Sequence, residues 1–307
     1  MIEIKDLRMK FESFVALDGV SCTIPEGCVF GLCGSNGAGK STLMRLMCGI
    51  YKPSGGSVLV DGESVYGRPS AKRRIVFLGD EPYFMPSADL NAMARLYASV
   101  YPQFSRERFD DLCSSFGLDK KRSLSHMSKG MRRQAATVLA LACRPKYLLL
   151  DETFDGLDPI MRDLVKRTVY SDVLENGASV VIASHSLREL EDTCDRIALL
   201  HKGGVLLESD LETLSKGVFK VQLAFRDEPT LSNLDAVRES IVSFTRLGAV
   251  ATLIMRGERE TLIARLRELD PLILDVIPMN LEEVFTYEME ARGYAFHEVI
   301  KEEKYGN

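Results

Sequence analysis

The most constraining feature of this 307-residue chain is a loop that needs glycine. Gly34-Ser35-Asn36-Gly37-Ala38-Gly39-Lys40-Ser41-Thr42 follows a short apolar run, Val29-Phe30-Gly31-Leu32-Cys33. It precedes a helical pattern over 43–48 that Gly49 stops. Gly-x4-Gly-Lys-Ser between a strand and a helix is the spacing of a phosphate-binding loop. Its glycines permit positive φ and close backbone approach, so successive N–H groups can turn inward onto an anion. The helix start adds partial positive charge. Lys40 supplies a full charge for the β- and γ-phosphates, and the Ser41 hydroxyl is placed to ligate magnesium.

A second segment needs a cation. Tyr147-Leu148-Leu149-Leu150-Asp151-Glu152 runs three leucines into two carboxylates, with Asp155 and Asp158 close behind. Adjacent acids at the end of a buried run are seldom left without a positive partner. The run over 147–150 reads as a strand buried on both faces of a parallel sheet. In open α/β sheets the carboxyl ends of the strands are where ligands bind. Asp151 is therefore expected to hold magnesium and Glu152 to polarise the attacking water, with magnesium and Lys40 as the missing positive charge.

Three further stretches narrow the class. Asp155-Gly156-Leu157-Asp158-Pro159 follows the acidic pair, Val180-Val181-Ile182-Ala183-Ser184-His185 is another apolar strand ending in His, and Met127-Ser128-Lys129-Gly130-Met131-Arg132-Arg133-Gln134 enters a long helical run. In this order and spacing, residues 2–210 resemble the ATP-binding subunit of an ABC transporter. The resemblance implies an α/β P-loop NTPase core of the ABC type over 1–215, with a helical subdomain at about 86–145. It also implies ATP and magnesium as ligands. Residues 34–42 would cradle the nucleotide, with Phe11 placed against adenine and Phe14 as its competitor. Two copies, identical or paralogous, would close head-to-tail over ATP. Ser128, Lys129 and Gly130 would then reach the γ-phosphate held by the partner copy. Glu152 and His185 would be catalytic, and Asp158 would couple the two sites across the interface.

Two motifs depart from the family pattern. Leu-Ser-Gly-Gly-Gln is replaced by Met127-Ser128-Lys129-Gly130-Met131. Asp80 stands where the family has Gln. Asp can ligate magnesium alongside Ser41 and Asp151, but it is one methylene shorter and has no N–H to donate.

Beyond about residue 216 the pattern changes. A strand is expected over 218–225, a hairpin over 241–246 and 249–255 around Leu247-Gly248, an amphipathic helix over 258–269, a strand over 272–277 and a helix over 281–291. This small α+β appendage over 216–307 carries no chemical motif. Its Leu281-Glu282-Glu283-Val284-Phe285 is similar to the C-terminal ending of exporter-type subunits.

Composition adds exclusions. The net charge of −5 disfavours a nucleic-acid partner. No apolar run approaches the ~18 residues that span a bilayer, and the first residues have no signal-peptide core. The expectation is a cytoplasmic chain, peripheral on the inner face of the membrane through a separate transmembrane permease, with seven cysteines as core hydrophobes. Two other classes share these motifs: a soluble ABC ATPase without a membrane partner, and a nucleotide-gated module with weak turnover.

Overall fold

Three apolar runs, Val29–Cys33, Tyr147–Asp151 and Ser179–Ser184, are buried at every position. Such runs fit the interior of a parallel sheet covered on both faces. A computed structural model, which describes residues 1–226 and 231–291, places them side by side. The six-stranded order is Gly204–Asp210, Arg196–His201, Val29–Cys33, Ser179–Ser184, Tyr147–Asp151 and Ile75–Leu78. Pairing is parallel from Arg196–His201 through Ile75–Leu78. Leu78 pairs with Leu150, Asp151 with Ala183, and Cys33 with Ser184. This register brings the carboxyl ends of four strands to one edge. The phosphate loop, the acidic pair, His185 and Asp80 all leave the sheet there.

Beside this sheet, the strands Phe14–Ile24, Ile2–Phe11, Gly55–Val60 and Glu63–Ser64 form a second one, with antiparallel pairing throughout. The helix Lys40–Met47 contributes Leu43, Met44, Leu46 and Met47 to the apolar core of this region, with Leu7, Leu17, Phe30 and Leu149.

The helical segment begins each helix on a cap. Asp89 accepts from the Ala92 N–H at 2.7 Å ahead of Leu90–Val100, and Ser105 accepts from the Arg108 N–H at 3.2 Å ahead of Arg106–Ser115. Each bond satisfies a donor the helix itself leaves unpaired. The third helix, Lys129–Ala142, buries almost all of its second half.

Contacts divide the chain into two compact units, Met1–Glu208 and Ser209–Asn307. The second unit has its own antiparallel sheet, ordered Ile241–Leu247, Val250–Arg256, Val218–Ala224 and Ile273–Ile277. Phe219, Val221, Leu223, Leu253 and Met255 cover one face and meet Leu262 and Leu266 of the helix Arg259–Glu268. In the helix Leu281–Ala291, Leu281, Val284 and Phe285 are buried, so the apolar positions of the exporter-like ending serve packing. All seven cysteines are buried and free.

Candidate active site

Glycine is required at the phosphate loop for reasons of space. A Cβ on Gly34 would lie 2.5 Å from the Leu200 carbonyl oxygen. Gly39 has φ +106, and a Cβ there would meet Leu17 at 2.6 Å and the Ala16 carbonyl at 2.9 Å. At these two positions the loop packs too closely against neighbouring strands for a side chain, and the loop borders a cavity. That cavity is about 300 Å³, lined by Phe14, Ala16, residues 35–42, Asp80 and Glu152.

Lys40 is almost fully buried, and its ammonium group bridges the loop and the acidic strand end. It donates to the carbonyls of Gly34 at 2.7 Å and Ser35 at 3.3 Å, and lies 3.4 Å from the Glu152 carboxylate. Glu152 in turn meets His185 Nδ1 at 3.0 Å through its other oxygen. The backbone turns out of the strand at Glu152 with φ +47, a conformation that costs about 1–3 kcal/mol for a residue with a side chain and that clusters at functional sites. Its N–H donates to the Ala183 carbonyl at 3.0 Å, which holds the turn. Lysine, glutamate and histidine are thus linked in series, with Lys40 and Glu152 lining the cavity.

Asp151 is 1% exposed. Burial pushes its carboxyl up from the ordinary range, opposed by a hydrogen bond from Ser41 and by the fields of Arg45 and Lys40. Its Oδ1 finds no partner among the described residues. A buried carboxylate with an orphaned oxygen beside a loop hydroxyl fits a hard divalent cation, which takes one or two carboxylates together with phosphate oxygens.

The other expected site residues are placed differently. Phe11 stacks edge-on against Tyr51 at 5.4 Å between ring centroids, and Phe14 is the aromatic ring that lines the cavity. Asp80 also lines it, but its carboxylate is paired with Arg133. Asp158 caps the helix Pro159–Asn176, accepting from the N–H groups of Ile160 and Met161 at 3.0 Å each. Ser128 caps Lys129–Ala142 by accepting from Met131 N–H at 3.2 Å. Ser128, Lys129 and Gly130 do not line the phosphate-loop cavity of their own chain. Lys129 instead borders a separate cavity of about 600 Å³ with Asp80, Phe84, Arg132 and Arg133. Arg133 was not singled out by sequence, where it reads as one more charge at a helix start.

Comparison with known proteins gives the family. The family model for ABC transporters matches residues 17–155. The ABC transporter ATP-binding protein YtrB of Bacillus subtilis is 32% identical over 93% of this chain and 97% of its own length. The daunorubicin/doxorubicin resistance ATP-binding protein DrrA of Streptomyces peucetius is 32% identical over 77% of this chain and 73% of its own. A solved ATP-binding subunit of an ABC transporter superposes with a TM-score of 0.65 at 27% identity, covering 70% of this chain and 91% of that one. No helix among the described residues is long and apolar enough to cross a membrane. From the phosphate loop to the histidine strand, the chain belongs to the ATP-binding proteins of the ABC transporter family, and it is an ATPase of the P-loop fold.

Proposed function

We propose that this chain powers a membrane transporter, with export as its direction, by hydrolysing ATP between two head-to-tail copies or between itself and a related subunit. The observation that carries the reading is the Lys40–Glu152–His185 series, whose first two members line the phosphate-loop cavity.

Residues 34–42 would hold the phosphates, with the Lys40 ammonium turning from the loop carbonyls to the γ-phosphate. Phe14 would stack on the base. Ser41 and Asp151 would hold magnesium, with Asp80 as a further ligand; magnesium would neutralise phosphate charge as it develops. Glu152 would accept the proton of the attacking water, and His185 would fix the direction of that carboxylate through Nδ1. Ser128, Lys129 and Gly130 lie outside their own chain's cavity, which favours a role toward a second copy, with Asp158 at that junction. The name of YtrB supports a transporter, and that of DrrA supports drug resistance. The separate permease and the cytoplasmic face of the membrane follow from the same reading.

Phosphate release by the purified chain, with and without magnesium, tests hydrolysis. Purification of the chain in detergent from the membranes of its own cells tests the permease. The account expects magnesium-dependent release and co-purification. Release that persists in Glu152→Gln would remove the assigned base, and a chain that never associates with a membrane protein would remove the transporter.

A further inference from the structure

Arg133 is a buried charge that this hydrolytic scheme does not use. It lies near the start of Lys129–Ala142, with its side chain 3% exposed. Its guanidinium reaches three acceptors on two other segments. These are the Asp80 carboxylate, the Asp80 carbonyl at 2.6 Å and the Asp155 carbonyl. The neighbouring Arg132 lies over the Phe84 ring at 5.6 Å, a second tie between the same helix and the segment after Asp80. One planar cation therefore joins the helix capped by Ser128, the loop that carries Asp80 and the loop that begins at Glu152. The guanidinium offers five donors in a fixed fork, whereas a lysine would bring three donors on one atom.

Charge makes the arrangement specific. A buried cation needs a counter-charge, and Asp80 supplies it. Asp80 is itself 55% exposed and adds to the field that raises the Asp151 carboxyl. While paired to Arg133, its charge is largely offset beside the carboxylate that fits magnesium. We infer that Arg133 is a positioning residue for hydrolysis. It ties the Asp80 and Glu152 loops to the Ser128 helix and balances Asp80 beside Asp151. The inference rests on the ATP-hydrolysing reading of the site.

A cycle of four full-length chains tests it, wild type, Arg133→Met, Asp80→Asn and the double variant, with Arg133→Lys as a fifth chain. Methionine leaves no charge in the interior, and Asp80 keeps access to water, so Arg133→Met is expected to fold. Its kcat should fall at least about tenfold, the scale expected when a support of the catalytic geometry is lost. The KM for ATP should move less, because Arg133 does not line the nucleotide cavity. The magnesium half-saturation should shift by roughly threefold or more as Asp80 regains its full charge. In the double variant it should return to the Asp80→Asn value. Arg133→Lys should restore only part of kcat. A wild-type kcat in Arg133→Met, or an equal magnesium shift when Asp80 is already neutral, would overturn the inference. Melting temperatures of the same four chains probe the ion pair without turnover. Non-additive shifts are expected, and additive ones would overturn the pair itself. A wild-type chain that shows the coupling but never hydrolyses ATP would instead defeat the ATPase reading and, with it, the catalytic role of Arg133.

Discussion

The two units bury different things. Among the described residues, the polar and charged side chains that are buried, including Lys40, Arg133, Asp151, Thr153 and Asp172, all belong to Met1–Glu208. The core of the second unit is built from Phe219, Val221, Leu223, Leu253, Met255, Leu262 and Leu266, with no charge among them. Burying an unpaired polar group costs about 1–3 kcal/mol on protein mutational scales, and a lone charge costs far more. The first unit offsets this cost by pairing Lys40 with Glu152, Arg133 with Asp80 and Arg108 with Asp172. Only Asp151 Oδ1 and the Thr153 hydroxyl stay unmatched within that set. Chemistry concentrates where polar burial is retained, and plain packing suffices where it is not.

Five substitutions probe this contrast. Glu152→Gln should cut turnover by about 10²–10⁴-fold, the range for loss of a general base, while ATP still binds; steady-state phosphate release and nucleotide binding measured side by side would show it. In the second unit, Leu223→Ala should lose about 2–5 kcal/mol of that unit's stability and leave ATP hydrolysis unchanged well below its melting point. A large loss of turnover there would mean that the second unit contributes to the site. Lys40→Ala should weaken ATP binding by about 1.5–3 kcal/mol, the value of hydrogen bonds to charged groups, seen in a fluorescent-nucleotide titration. Phe14→Ala should weaken it by about 1–3 kcal/mol through lost base stacking, whereas Phe11→Ala should leave nucleotide affinity near wild type.

Much of the site was legible because its geometry demands particular residue types. Gly34 and Gly39 cannot carry a side chain where they pack, so the loop declares itself. The run into Asp151 and Glu152 is legible because a strand buried on both faces must be continuously apolar. Asp89 and Ser105 mark helix starts because capping needs a short acceptor. In the second unit the strand expected over 218–225 is found at Val218–Ala224, and the hairpin turns at Gly248 with φ +60. The 3₁₀ turns of Leu231–Ser240 carried no such marker.

What stayed hidden depends on side-chain direction and distant pairing. Phe11 and Phe14 face each other at the end of one antiparallel hairpin, so their types say nothing about which ring reaches the loop. In the fold Phe14 lines the cavity and Phe11 packs edge-on against Tyr51. Arg133 and Asp80 are 53 positions apart, and neither motif announces the other. The left-handed turn at Glu152 falls on a residue type that gives no sign of it.

The proposed enclosure of ATP by two copies has a simple measurement. Light scattering of Glu152→Gln on a sizing column should give a monomer mass without nucleotide and a doubled mass with magnesium and ATP, and Ser128→Arg should abolish the doubling. A mass that stays at one chain under saturating ATP would contradict enclosure by two copies of this chain.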